Sequence, residues 1–163
     1  MEKAIFVGLD NGGKTSIIYT LNGEFSLLSG IRPTIGVSRN QTTTMKLLGM
    51  NITHWDLGGQ KKYRDKVLKE KNFVFVEAEI IFYVIDVLDD DRFPESLEYF
   101  EKIIEILDEM NEDPVIHILF HKLDPPQQSN EQLLDRITDM KNKIEQLTSG
   151  RRIAYYSTSI HDV

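Results

Sequence analysis

Cysteine is absent from all 163 residues, so the chain has no disulfide framework, no thiolate metal site and no cysteine nucleophile. Long apolar runs are missing as well. No stretch approaches the roughly 18 residues of a membrane span, and the opening Met1 to Gly8 is too short an apolar run for a signal peptide. Glu2 stands where N-myristoylation needs glycine. Positive charge is in deficit, and a net charge of −7 argues against a general affinity for nucleic acid or anionic lipid. Any phosphate site must therefore be built locally. There is no internal repeat, low-complexity tract or linker. Present instead is an ordinary globular composition, 40% apolar and 28% charged, at a length that suits one domain.

Short apolar runs alternate with longer segments of helical period, the pattern of helices packed on a mostly parallel sheet. The runs are Ala4 to Val7, Ile80 to Ile85, Val115 to Phe120 and Ile153 to Tyr156, each continuous enough for a strand buried on both faces. Leu97, Phe100, Ile103, Ile104 and Leu107 share one helical face, with Pro94 suited to a first helical position. Leu133, Leu134, Ile137, Met140, Ile144 and Leu147 mark a second helix, started by a capping box of Ser129 and Gln132 and stopped by Gly150. Val37 to Leu48 and Met50 to Asp56 read as a hairpin turning near Gly49, its first strand polar and suited to an edge. Asp89, Asp90 and Asp91 read as a solvated turn.

Gly8-Leu9-Asp10-Asn11-Gly12-Gly13-Lys14-Thr15 fits the phosphate-binding pattern GxxxxGK[ST], between a predicted strand and a helix carrying Ile17, Ile18 and Leu21. Glycines let backbone N–H groups of Asp10, Asn11, Gly12, Gly13, Lys14, Thr15 and Ser16 converge on phosphates, and the helix N-terminus adds positive potential. Lys14 can reach the β and γ phosphates, and Thr15 can ligate magnesium. Trp55-Asp56-Leu57-Gly58-Gly59-Gln60 follows another predicted strand. Asp56 can hold magnesium through a water, Gly59 can offer its N–H to the γ phosphate, and Gln60 can orient an attacking water. In Arg32-Pro33-Thr34-Ile35-Gly36, Thr34 can supply a further oxygen to magnesium.

These motifs, GLDNGGKT, PTIG and WDLGGQ, come in the order found in Ras-superfamily small GTPases, and their forms are most similar to the Arf and Sar branch. The resemblance covers nearly the whole chain. His121-Lys122-Leu123-Asp124 stands where the superfamily usually has Asn-Lys-x-Asp, and with Thr158-Ser159-Ile160 it resembles the Rag GTPases. The resemblance implies that Asp124 accepts from guanine N1–H and the exocyclic amine, that the stem of Lys122 lies along the base, and that Ile160 N–H reaches guanine O6, with Ser159 beside it. A neutral His121 can donate to guanine N7 as the amide does, or can be a strand-end residue without base contact. Lys61, Lys62, Arg64, Lys66, Lys69 and Lys71 occupy the segment corresponding to the second switch, either as a solvated helical face or as a surface for an acidic partner.

The expected fold is a three-layer α/β P-loop G domain, a six-stranded mostly parallel sheet with one antiparallel edge strand and helices on both faces. The expected function is a guanine-nucleotide switch that binds GTP or GDP with Mg²⁺ and slowly hydrolyses GTP, with Gln60 catalytic and Arg32 available as an internal arginine finger. A nucleotide-bound scaffold with negligible hydrolysis is the alternative, and a P-loop ATPase is a third reading that Asp124 disfavours. Expected partners are effector and regulatory proteins at the switch regions and a homo- or heterodimer, without nucleic acid or direct membrane insertion. The expected location is cytoplasmic, with recruitment to membranes by partners. In the families resembled, one more helix follows the Thr-Ser-Ile loop, whereas here only His161, Asp162 and Val163 remain. Residues 1–163 are thus expected to be a G domain lacking its final helix, with apolar side chains open beside Tyr155 and Ile5.

Overall fold

The chain is seen in a computed structural model that describes residues 2–23, 25–30, 32, 35, 37–39, 45–47 and 50–160. The apolar runs become strands: β1 (Glu2–Val7), β4 (Met50–Leu57), β5 (Ile80–Asp86), β6 (Val115–His121) and β7 (Ile153–Thr158). β1 pairs in parallel with β4 (Ile5 opposite Trp55) and with β5 (Ile5 opposite Ile81). β6 then pairs in parallel with β5 and β7. The expected edge strand is present in two short pieces, β2 (Val37–Arg39) and β3 (Met45–Leu47), both antiparallel to β4. That division makes seven strands among the described residues, in the order β2-β4-β1-β5-β6-β7 with β3 also on β4. Residues 40–44 and the expected turn at Gly49 lie outside the described residues.

The helices are α1 (Lys14–Leu21), α2 (Lys61–Lys69), α3 (Lys71–Val74), α4 (Phe93–Met110) and α5 (Glu131–Leu147). α4 carries Pro94 in its first turn and ends at Asn111, whose left-handed backbone returns its N–H to Leu107 and Asp108. α5 starts one residue later than the expected capping box. Its cap is Asn130, whose side chain accepts from Leu133 N at 3.1 Å, because the short turn Gln127–Ser129 holds Ser129 back.

Strand alternation sorts the core into two clusters. On one face Ile5, Tyr83, Ile118 and Phe120 pack under Phe100, Ile103, Leu107, Met140 and Ile144 of α4 and α5, with Val67 of α2 and Val74 of α3. Tyr83 is satisfied inside this core by donating to Ser96 O at 2.7 Å. On the other face Phe6, Val84 and Leu119 pack on Ile17 and Ile18 of α1. Beyond α1 the ring row Phe6–Phe82–His117, stacked, and Tyr156, tilted against His117, runs across that face, and Tyr156 is 47% exposed. The expectation of open side chains beside Tyr155 and Ile5 is thus corrected: Ile5 is fully buried and Tyr155 packs on the α4–α5 side. The side chain one residue on, Tyr156, points the opposite way because successive strand residues alternate faces.

The turn from β1 to α1, those after β4, β5 and β6, and the end of β7 all lie at the carboxyl edge of the sheet. Since β1 sits between β4 and β5, the chain reverses its lateral direction there, and the crevice above β1 is where such sheets bind ligands.

Candidate functional site

The turn between β1 and α1 is shaped by glycine at two points where a side chain would be strained or obstructed. Gly8 has φ +147°, and a Cβ on it would lie 2.3 Å from Val84 O; Gly13 has φ +90°, and a Cβ there would lie 2.5 Å from His121 Cδ2. The loop they frame opens directly into α1, whose first turn holds no acidic residue and whose N-terminus takes no side-chain cap. The helix-end potential there favours an anion. Lys14 is buried and folds back over the loop, donating from Nζ to Leu9 O at 2.8 Å and Gly8 O at 3.2 Å. Burial pushes its ammonium down to about 8, against the pull of Asp56 and Asp10.

Asp56, at the end of β4, accepts from Thr15 Oγ1 at 2.5 Å. A hydroxyl and a carboxylate side by side suit a hard cation that keeps several of its waters. Among the described residues no cluster of three or more His, Asp or Glu could hold a metal. Two protein oxygens would leave most positions of such a cation to water or to an anion.

Gly59 is pressed against the phosphate loop, since a Cβ there would come within 2.3 Å of Asp10 N and Leu9 C. Gln60 follows as the N-cap residue of α2, in extended conformation, its side chain making no cap bond. One cavity of about 320 Å³ is bordered by Asp10, Asn11, Gly12, Gly13, Lys14, Thr15 and Ser16, with Arg32, Gly59, Gln60 and Lys122. Sequence motifs up to 112 positions apart thereby meet at one site. Thr34 lies outside the described residues, as do Pro33 and Gly36.

The remaining motif residues lie around the far end of the loop. His121 is buried, its Nδ1 2.9 Å from Thr158 Oγ1 and its ring edge packed on Gly13. Burial holds the imidazole below its usual range, helped by the Lys122 charge, and keeps it neutral near neutral pH. Lys122, with φ 65°, reaches over the loop to Asn11 O at 2.8 Å and Asp86 Oδ2 at 2.6 Å. Asp124 accepts from Ser159 Oγ, and Leu123 N donates to Thr158 O at 3.2 Å, which fastens the turn after β6 to the end of β7. Ile160 stands in the turn just beyond.

Sequence reasoning passed over several contributors. Asp86 holds Lys122, and its signal was the one that marked Asp56: an acidic residue ending an apolar strand at the carboxyl edge. Thr158, which anchors His121, carries no signal beyond its place beside Ser159 and Ile160. Arg64 belongs to the basic run expected as a solvated face or a partner surface, yet it is buried and donates to Gly59 O at 2.9 Å and Glu95 Oε1 at 2.5 Å. The acidic turn is also only partly solvated, with Asp89 bonded to Arg92 at 3.3 Å and Asp90 to Arg136 at 2.5 Å.

A mostly parallel sheet, a phosphate loop at its switch point and an Asp-x-Gly-Gly-Gln segment on the same cavity define a P-loop G domain with the features of Ras-superfamily GTPases. The family model for the Gtr1/RagA G protein conserved region matches residues 3–163, and the chain belongs to that family. It is also similar to ADP-ribosylation factor-like protein alp41 of Schizosaccharomyces pombe, 35% identical over 102 residues that cover 63% of this chain and 50% of that protein. With ADP-ribosylation factor-related protein 1 of Rattus norvegicus it shares 34% identity over 106 residues, 61% of this chain and 49% of the relative. The matched segments span about half the length of these relatives. Among solved structures, a chain of the mammalian SRP receptor shares the fold, with a TM-score of 0.66 at 18% identity over 98% of this chain and 92% of that one. No helix among the described residues is long and apolar enough to cross a membrane.

Proposed function

We propose that the chain is the switch domain of a GTP-binding protein, which takes GTP or GDP in the crevice above β1 and hydrolyses GTP slowly. The observation that carries this reading is the shared cavity, in which Gly59 and Gln60 face the same space as Lys14 and Thr15. Backbone N–H groups of the loop would hold the phosphates, and Lys14 would leave its carbonyl partners for the β and γ oxygens. Thr15 and, through water, Asp56 would hold Mg²⁺ with Thr34 as a further ligand, and the ion would neutralise charge building on the phosphates. Gln60 would orient water in line with the γ phosphate, with Arg32 near enough to the cavity to add positive charge in the transition state. Intrinsic turnover as slow as about 10⁻⁴ s⁻¹ is the expectation for such sites, so an activating partner at the switch segments would set the working rate.

Guanine recognition rests on Asp124 beside Ser159, with the Lys122 stem along the base and Ile160 N–H toward O6. His121 braces Thr158 through Nδ1 and packs beside Gly13, which leaves Nε2 as the one ring nitrogen that could meet a base. Competition between labelled GDP and ADP tests the specificity, and single-turnover phosphate release tests the hydrolysis. ADP competing within tenfold of GDP would remove the guanine assignment. Absence of phosphate release with tight GTP binding would favour the scaffold reading.

A further inference from the structure

Of the six cations after Gln60, Arg64 alone is buried, and its position is fixed on every side. One nitrogen donates to Gly59 O at 2.9 Å, the other to Glu95 Oε1 at 2.5 Å, and the guanidinium lies 5.4 Å from the Tyr99 ring centroid. The second oxygen of Glu95 accepts from Arg92 Nε at 2.7 Å, and Arg92 Nη2 donates to Asp10 Oδ1 at 2.9 Å. The same Asp10 oxygen is 3.9 Å from Arg64 Nη1. Arg64, Glu95, Arg92 and Asp10 therefore close a ring that joins the Gly59 loop to the phosphate loop through the first turn of α4.

We propose that Glu95 is a positioning residue for the terminal phosphate: by bridging Arg64 and Arg92 it holds Gly59 and Gln60 at the phosphate cavity, and so sets the preference for a nucleoside triphosphate over the diphosphate. The inference rests on the reading of the site as a GTP site. Glu95 does not line that cavity. A diphosphate has no group to meet Gly59, so loosening Gly59 weakens only the triphosphate, and a ligand shifts a conformation only by such differential contact. A carboxylate in a first helical turn also favours its helix, but that effect would act on both ligands alike.

The test compares affinities for GDP and a non-hydrolysable GTP analogue, both with Mg²⁺. Glu95→Gln keeps the shape and removes the charge. It should lower the analogue-to-GDP preference by about tenfold, a usual size for coupling between linked elements, with GDP affinity within about twofold of the parent. Glu98→Gln, which breaks the exposed pair with Lys102 one turn along the same helix, should leave the preference unchanged. Should Glu95→Gln fail to fold, Arg92→Lys, which has one head group to offer Asp10, Asp89 and Glu95, should show part of the fall. An unmoved preference, or equal loss of both ligands, overturns the positioning role while the GTP reading stands. A parent protein that binds neither ligand overturns both.

Discussion

Lys122 donates from Nζ to the carbonyl of Asn11, 111 residues earlier in the chain, and to Asp86 at the end of β5. The turn after β6 and the phosphate loop are thus fastened to each other through one side chain. Lys122→Met keeps the apolar stem and loses both charged hydrogen bonds, each worth about 1.5–3 kcal/mol in typical settings and less here because the side chain is partly exposed. GDP and GTP should both bind more weakly, by about ten- to a hundredfold and by similar factors, as measured by displacement of a fluorescent nucleotide. A change in GTP alone would place the lysine's action at the γ phosphate instead.

Gly13→Ala should destabilise the fold as well as the site. The new methyl would meet His121 at 2.5 Å on a backbone of φ +90°, and strain of this kind costs about 1–3 kcal/mol. Urea denaturation should show the loss without ligand. Adding His121→Ala should recover the part due to the ring and leave the part due to φ, so a double variant no more stable than Gly13→Ala would show that the ring is not the obstacle.

Asp124→Asn should turn the preference from guanine toward xanthine, whose carbonyl at position 2 accepts where guanine donates. Sites built to pair with donors reject analogues lacking them by about 10⁴, so the parent should discriminate strongly. Competition of XDP and GDP for the variant measures the turn, and an unchanged preference for GDP would remove Asp124 from base recognition.

Acid should act partly through Glu95, whose carboxyl is held at about 2, against a usual 4.5, first by its bond to Arg92 and then by Arg64. The folded form binds this proton less readily than the unfolded chain, so the stabilisation is present above about 4.5 and is lost as pH falls toward 2. Urea midpoints followed down through that window should fall less steeply in Glu95→Gln than in the parent. Parallel slopes would mean that other carboxylates carry the acid limb.

Tyr156, tilted against His117 and 47% exposed, offers an apolar side chain that a second copy of the chain could cover. If that face self-associates in the 163-residue chain, Tyr156→Glu should lower the weight-average mass at high concentration in sedimentation equilibrium. A parent that stays monomeric at all concentrations would remove the self-association.

What was legible in the sequence was whatever backbone geometry restricts to few residue types. Gly8, Gly13 and Gly59 each sit where a Cβ collides with main chain or a ring, so their spacing carries the site's shape. β1, β5 and β6 were legible because burial leaves few polar interruptions, whereas β7, expected to be buried on both faces in the same way, is half-buried to exposed along its length. That same apolar continuity hid the parity of Tyr155 and Tyr156, two equally plausible core residues. Ser129 and Asn130 are both good caps, and only the turn before them decides which one serves. Arg64 was hidden among cations of the same kind, because what separates it from Lys66 is the position of Glu95, a residue 31 places on.

The close approach of Gly59 to Leu9 and Asp10 gives the site a mechanical asymmetry. Backbone in contact with backbone is a hard stop that resists compression, whereas ion pairs resist being drawn apart. With the stop at Gly59 and the ties running through Arg64 and Arg92, neither loop can travel without loading the other. Any load on one side of the cavity would therefore be shared with the first turns of α2 and α4 through Arg64 and Glu95.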